Sequence, residues 1–290
     1  MEGPLAGLPG ASSDAGEGPV VASLVEGLLL AAESVHEHRE HAGAWYADLV
    51  GPLLVPAAGT ALVQEQLTPG DHGLRIVLVA EPGPGDPAGL LGLRQARNRL
   101  LDDDRIELTG VHLPLQGPAA PGLAVSDLLG ELDFTVPAWV ELAPSAGWRQ
   151  ALEALAADGA ERLALRLAAD AGQDATPTPG VLAVAEILRA AVDRDLSLRV
   201  VGAGAEPVAT VGGLAALCGV RAALNGAEVP EIAVILGERT PDPLAAALRR
   251  MSDADAAVAR VFLDGLVVRR VRNAVEDLEA LGLVARTAVD

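Results

Sequence analysis

The amino-acid sequence predicts an α/β fold of the (β/α)8 TIM-barrel type with an irregular or incomplete first strand. Short apolar segments recur along the chain and alternate with segments of helical periodicity, a pattern typical of parallel sheets whose strands are connected by helices. Several apolar segments lack polar–apolar alternation, as expected for strands that are covered on both faces. The number of segments and the length of 290 residues fit a barrel of about 250 residues better than an open sheet.

Seven of the predicted strands coincide with clear apolar segments. These are Leu49–Ala57, Leu74–Glu81, Ile106–Leu115, Pro137–Ala143, Arg162–Ala168, Leu196–Ala203 and Gly265–Val271. The segment Val20–Gly27 is the candidate for the eighth strand. Because it is short and contains Glu26, the first strand is expected to be the irregular one.

The helices are predicted from their apolar periodicity and their end signals. Helices should begin near Gly89, Trp148 and Gly180, and Thr210–Leu263 should be helical almost throughout. A last helix is also predicted, because Asn273 and Glu276 have capping-box spacing and Gly282 suits the C′ position.

The domain organisation is predicted to be simple. Residues 1–19 are small, acidic and rich in Gly and Pro, so we expect a disordered tail. They lack the basic start of a secretory signal. Because no Pro- or Ser-rich linker divides the remainder, residues 20–290 are predicted to form one domain.

Composition excludes several classes of function. The formal net charge of -19 disfavours nucleic-acid binding and anionic membrane surfaces. All basic residues other than histidine are arginine, so no Schiff-base lysine or phosphate-loop lysine exists. Cys218 is the single cysteine, which excludes a disulfide framework within the chain and favours a cytoplasmic location. We predict no resident metal or cofactor.

The glycine-containing segment Arg199–Gly213 resembles a nucleotide-binding turn only superficially. A dinucleotide fingerprint requires G-x-G-x-x-G, and Pro207 occupies the third glycine position after Gly202 and Gly204. We therefore interpret this segment as a strand that ends in a loop. Gly202 and Gly204 are retained as candidates for backbone contact with a ligand.

Polar residues lie late in several predicted strands, where the active sites of barrels are found. Glu81, His112 and Glu141 are the candidate catalytic residues, since a histidine with carboxylates can transfer protons or bind a divalent cation. Arg166 and Arg199 are the candidate ligand-binding residues, since arginine binds anions through two parallel hydrogen bonds. The alternative is that these arginines form structural ion pairs, for example with Glu141.

The histidine-rich segment His36–His41 is predicted to be a solvent-exposed helix. Its Glu, Arg and His residues are those of a charged helix surface. We do not predict a metal site there.

Four segments resemble an uncharacterised, barrel-like family of actinobacteria that has no established activity. They are His38–Pro56, Val140–Pro144, Thr176–Val200 and Val275–Val284. The resemblance extends over roughly Leu28–Val284 and implies a barrel fold.

This chain departs from the family pattern at the polar strand ends. Where the family has K-L-R-x-G-G, Ala164–Ala169 retains Arg166 but has neither the lysine nor the two glycines. Where the family has a lysine and a pair of histidines, Leu198–Glu206 has Arg199 and no histidine, and Val267–Ala274 replaces a G-S-C-S-F-x-E-P segment. The resemblance therefore implies a catalytically degenerate barrel, or pseudoenzyme, that acts as a scaffold or regulatory subunit with a protein partner or a second copy of itself. The alternative is an enzyme or binding protein for a small anionic metabolite.

Overall fold

The structure, a computed structural model, describes residues 24–81, 89–114, 136–142, 144, 147–157, 162–167, 179–202 and 208–286. The predicted tail at residues 1–19 and the predicted contact residue Gly204 lie outside the described residues.

Eight parallel strands form a nearly closed barrel, as predicted. The strands are β1 Leu29–Leu30, β2 Leu53–Pro56, β3 Leu74–Val79, β4 Ile106–Pro114, β5 Ala138–Leu142, β6 Arg162–Arg166, β7 Ser197–Val201 and β8 Leu263–Val267. Their order in the sheet is β1-β8-β7-β6-β5-β4-β3-β2. Because neighbouring strands follow the chain order and run parallel, the carboxyl ends of all eight strands lie at one end of the barrel.

The seam between β1 and β2 is bridged by a few contacts. Leu29 and Val50 form an isolated parallel bridge. The N–H of Gly51 donates to Leu29 over 2.8 Å, and the N–H of Leu54 donates to Ala31 over 3.0 Å. These contacts bring the two ends of the sheet together without a continuous ladder.

Helices alternate with the strands and cover the outside of the sheet. They are α1 Val35–Ala42, α2 Thr60–Gln66, α3 Leu90–Leu100, α4 Trp148–Ala157, α5 Pro179–Val192, α6 Val208–Leu224, α7 Val229–Gly237, α8 Pro241–Arg249, α9 Asp253–Phe262 and α10 Val271–Ala280. Short 3-10 turns lie at Ala47–Leu49 and Ala57–Gly59. The helices predicted near Gly89, Trp148 and Gly180 and the helical stretch before the last strand are confirmed.

Two strand predictions were wrong in position. The first strand lies at Leu29–Leu30, whereas Leu24 and Val25 of the predicted segment are helical and Gly27 makes a turn with φ +61°. The last strand begins at Leu263 and ends at Val267, earlier than predicted. The neighbouring strand β1 explains why β8 ends at Val267. Leu30 is the last residue of β1, and it pairs with Val267.

The last helix begins differently from the prediction. Its N-cap is Arg270, and the N–H of Val271 donates to the Glu33 carboxylate over 2.9 Å. A carboxylate distant in sequence therefore caps this helix, and Asn273 lies inside it. The predicted C′ glycine is confirmed, because Gly282 has φ +62° and its N–H donates to Glu279.

Strand residues alternate between an outer core and the lumen of the barrel. Leu163, Leu165 and Leu198 belong to the large core that also contains the helices. By contrast, two small apolar clusters consist of strand residues only, and they therefore lie inside the lumen. Their buried members are Leu30, Leu54 and Val77 in one cluster, and Trp139, Ala164 and Val201 in the other.

A glycine makes room for the largest side chain in the lumen. A Cβ atom added at Gly110 would lie 2.1 Å from Cζ3 of Trp139 and 3.0 Å from the carbonyl oxygen of Pro137. The first distance is too short for the indole to keep its position, and the second is a close approach to backbone that cannot easily move. Gly110 is therefore required by the packing of Trp139 rather than by its own backbone conformation.

The substitution Gly110→Ala should destabilise the protein by about 1 to 3 kcal/mol, because it overpacks the lumen. Urea unfolding measures this loss. The matched control is Gly70→Ala, where an added Cβ meets no atom within 4 Å and a change within about 0.5 kcal/mol is expected. Equal stability of the two variants would mean that the indole does not fill the lumen at Gly110.

Candidate functional site

Three of the predicted side chains meet at the carboxyl ends of β4, β5 and β6. We call His112, Glu141 and Arg166 the mouth cluster. Arg166 donates from Nε to Oε1 of Glu141 over 2.5 Å and from Nη2 to Oε2 over 3.0 Å. Nε2 of His112 lies 3.1 Å from the same Oε2. One carboxylate therefore holds both the guanidinium of Arg166 and the imidazole of His112 in place.

The strand register explains why these residues meet. Glu141 pairs with Pro114 on one side and with Ala164 on the other. His112 lies two residues before the first of these partners, and Arg166 lies two residues after the second. Since residues two apart in a strand share a face, the histidine approaches Glu141 from below and the arginine from above.

The cluster is buried at its base and open at its top. The side chains of His112 and Glu141 are 6% and 8% exposed, whereas that of Arg166 is 48% exposed. Burial alone would raise the pKa of Glu141, but hydrogen bonds from His112 and Arg166 outweigh it, so this pKa lies below its ordinary value. The carboxylate is consequently ionised at neutral pH.

An ionised Glu141 determines which ring nitrogen of a neutral His112 carries the proton. The carboxylate accepts a hydrogen bond, so the proton of a neutral imidazole lies on Nε2. Nδ1 of His112 is buried and has no hydrogen-bond partner among the described residues. The arrangement therefore fixes the tautomer and the orientation of His112, while burial keeps its Nδ1 out of contact with the solvent.

Glu81 does not join the mouth cluster, contrary to the prediction. It is exposed, and its Oε2 accepts a hydrogen bond of 2.7 Å from the N–H of Ala58. Ala58 lies in the 3-10 turn Ala57–Gly59, whose first N–H groups have no partner within the turn. Glu81 therefore caps this turn, and the structure assigns it no contact with His112 or Glu141.

Arg199 also lies apart from the mouth cluster, so it does not share a site with Arg166, and whether it contacts a ligand stays a prediction. It points into the lumen, is 3% exposed, and its guanidinium carbon lies 3.5 Å from the centroid of the Trp139 ring. Its Nη2 donates to Asp264 over 2.8 Å. We call Trp139, Arg199 and Asp264 the lumen stack.

A bulge places the carboxylate of the lumen stack. The partner of Leu198 is Leu263 and the partner of Arg199 is Gly265, so Asp264 is an extra residue in β8. A bulged residue leaves the regular alternation of the strand, and this directs Asp264 towards Arg199. Sequence patterns did not indicate this carboxylate, because bulges leave no periodic signal.

Gly202 ends β7 as predicted, and its N–H donates to Val267 over 3.0 Å. This hydrogen bond continues the sheet, so the backbone N–H of Gly202 is not available to a ligand. Whether Gly204 contacts a ligand stays a prediction, since it lies outside the described residues.

A second buried polar group was missed in the histidine-rich segment. His41 is 2% exposed, in contrast to the predicted surface position. Its Nε2 lies 2.8 Å from Glu33 and its Nδ1 lies 3.1 Å from the hydroxyl of Tyr46. Because Glu33 also caps α10, this group joins the beginning of the barrel to its last helix and is structural.

Comparison of the chain with protein-family models, with curated proteins and with solved structures gives no match. Within the described ranges, no three His, Cys, Asp or Glu side chains are grouped so that they could hold a metal ion. None of the helices in the described part of the chain combines the length and the hydropathy that crossing a bilayer requires.

The mouth cluster predicts a defined pH dependence. Since the pKa of Glu141 in the folded protein lies below its ordinary value of 4.5, its ionised form stabilises the fold above that pH. This contribution is lost as the pH falls through the folded-state pKa. Glu141→Gln should therefore lower the free energy of unfolding by about 3 kcal/mol at neutral pH, and the gap to wild type should narrow in acid.

Urea unfolding of both proteins between neutral pH and pH of about 3.5 measures this gap. The control is Glu186→Gln, which removes the exposed partner of Arg149 and should cost less than about 1 kcal/mol. A gap for Glu141→Gln that stays constant into acid would contradict the assignment of an ionised, paired Glu141.

Proposed function

We propose that this protein binds a small anionic ligand at the mouth cluster, with Arg166 as the residue that contacts the anion. The observation that supports the proposal is the convergence of His112, Glu141 and Arg166 at the carboxyl ends of adjacent strands. This is the end of the barrel where TIM-barrel proteins place their sites.

Arg166 is suited to anion recognition because only part of its donor set is used. Nε and Nη2 donate to Glu141, whereas the structure assigns no protein partner within the described residues to Nη1. Half of the side chain is exposed. The buried carboxylate thus fixes the guanidinium in one orientation and leaves donors that face the solvent, and such preorganisation lowers the entropic cost of binding.

His112 would support the same site through Glu141. Its Nδ1 has no partner among the described residues, and Nε2 is held by Glu141. An anion bound by Arg166 would therefore lie above a carboxylate whose position His112 fixes from below. This favours the binding or enzymatic alternative over a barrel that has lost all its reactive groups.

The degenerate-scaffold hypothesis remains the second candidate. It is supported by the apolar filling of the lumen, where Val79 and Val267 pack on the small clusters around Val77 and Trp139. In that case the protein would act through a protein partner or a second copy, in the cytoplasm, and the mouth cluster would serve stability alone.

A panel of anions separates the two candidates. Phosphate, sulfate, acetate, oxalate, citrate and glycerol phosphate are added at constant ionic strength, and thermal unfolding and titration calorimetry are recorded for the wild type. We expect at least one oxyanion to raise Tm in a saturable way. Arg166→Gln should weaken its binding at least tenfold, because a charge-assisted hydrogen bond contributes about 1.5 to 3 kcal/mol.

The matched control is Arg149→Gln, which removes the same charge from an exposed pair between Arg149 of α4 and Glu186 of α5. It should bind the oxyanion like wild type. If no oxyanion stabilises the wild type, or if Arg166→Gln and Arg149→Gln respond alike, the mouth is not the binding site and the scaffold hypothesis is favoured.

A further inference from the structure

A cavity of about 290 Å³ lies in the helix layer, between residues of α6, α8 and α10. Its apolar walls are formed by Val211, Pro241, Ala280 and Leu281. Voids left by imperfect packing rarely exceed the size of a water molecule, so a cavity of this volume is more than a packing defect. Since Val211 is buried and Ala280 is exposed, the cavity reaches from the core to the surface, and a ligand can enter it from the solvent.

The volume of the cavity limits the size of a ligand. An apolar cavity of about 150 Å³ holds benzene, so a cavity of about 290 Å³ admits a molecule of roughly ten non-hydrogen atoms. This volume lies at the lower end of the range of about 300 to 1,000 Å³ that is typical of small-molecule sites. The apolar walls favour a ligand whose body is aliphatic or aromatic.

Two charged side chains, Asp277 and Arg239, also line the cavity, and they differ in their surroundings. Oδ2 of Asp277 accepts a hydrogen bond of 2.9 Å from the hydroxyl of Thr210, which is 1% exposed. This bond joins α10 to the first turn of α6, so the carboxylate has a structural role in the cavity wall. A cationic ligand would therefore meet a carboxylate that is already engaged.

Arg239 lies between α7 and α8 and has more donors than the neighbouring chain uses. Its Nη1 donates to the carbonyl oxygen of Leu236 over 3.2 Å, which anchors the guanidinium at the end of α7. The carboxylate of Glu238 accepts hydrogen bonds from the N–H groups of Arg239 and Thr240 over 2.9 and 2.7 Å. This carboxylate therefore binds the backbone before α8, and it makes no ion pair with the guanidinium. A guanidinium carries five N–H groups, so Arg239 can hold an anionic head group as well.

Partial burial lowers the pKa of Arg239, and the charge of Glu238 opposes this shift. The guanidinium is thus less well solvated than it would be in water, and a bound anion would compensate for the lost hydration. We infer that the cavity binds a small amphipathic monocarboxylate, whose carboxylate pairs with Arg239 and whose aliphatic or aromatic body fills the apolar part. The mouth cluster lies on the strands and shares no residue with this site, so the inference does not depend on the proposed function.

Straight-chain carboxylates from butanoate to decanoate test the inference. Each is titrated calorimetrically into the full chain below its micelle-forming concentration. We expect saturable binding whose affinity rises about fourfold for each added methylene, until the cavity is full at roughly the ten non-hydrogen atoms of octanoate. Octanol and octylamine carry the same chain, and octanoate should bind at least tenfold more tightly than either, because only octanoate makes a charge-assisted hydrogen bond to Arg239.

Two variants locate the site. Arg239→Gln should weaken octanoate binding at least tenfold and leave octanol binding unchanged, because only the head group loses its partner. Ala280→Phe should abolish the binding of both ligands, since the added ring occupies the cavity, and it should still fold because Ala280 is exposed. Arg149→Gln and Arg166→Gln are the controls and should bind octanoate like wild type.

Three results would overturn the inference. They are the absence of saturable octanoate binding to the wild type, octanol or octylamine that binds as tightly as octanoate, and octanoate binding that survives Arg239→Gln. Self-association of the wild type that is lost in Ala280→Phe would assign the cavity to a second copy and would also overturn it. Failure of this site and failure of the mouth are distinguishable, because Arg239→Gln should leave the binding of small oxyanions at Arg166 unchanged.

Discussion

A barrel of parallel strands encloses a lumen that side chains alone must fill, and every charged group that enters it needs a partner inside. Here two carboxylates meet that requirement. Glu141 pairs with Arg166 and His112 at the carboxyl ends of the strands, and Asp264 pairs with Arg199 nearer the amino ends. Breaking a buried pair leaves an uncompensated charge, which costs several kcal/mol. The positions of the other lumen residues follow from these two pairs and from the indole between them, including the glycine required at position 110.

The two ends of the lumen differ in what remains unsatisfied. At the mouth, the carboxylate uses both oxygens, and the hydrogen-bonding capacity that is open to the solvent is that of Arg166. Towards the amino ends, the buried atoms of the lumen stack that have no partner among the described residues are all donors. The arrangement at the mouth suits an anion that Arg166 can reach, whereas the lumen stack is closed to the solvent at these atoms. Because His112 and Trp139 are register partners on adjacent strands, the mouth cluster and the lumen stack are adjacent in the lumen.

The sequence predicted the barrel because strand periodicity and helical connections are local properties of the chain. It also placed His112, Glu141 and Arg166 correctly, since strand ends in a barrel are brought together by topology alone. It could not predict the role of Glu81, which depends on a turn that follows the neighbouring strand β2, or of Arg199, which depends on the bulge at Asp264. The capping of α10 by Glu33 was missed for the same reason, because it joins residues that are 238 positions apart. Local sequence patterns predict helices and strands, but polar contacts between residues distant in sequence can be predicted only when the strand register is known.

The central claim is that Glu141 and Arg166 act as one unit at the mouth of the barrel. A double-mutant cycle of Glu141→Gln and Arg166→Gln, measured by urea unfolding at neutral pH, tests it most directly. Residues in direct contact show coupling energies of about 0.5 to 3 kcal/mol, and we predict a coupling above about 1 kcal/mol. Effects that add within about 0.3 kcal/mol would contradict the account, because the two side chains would then not share the contact on which the mouth cluster depends.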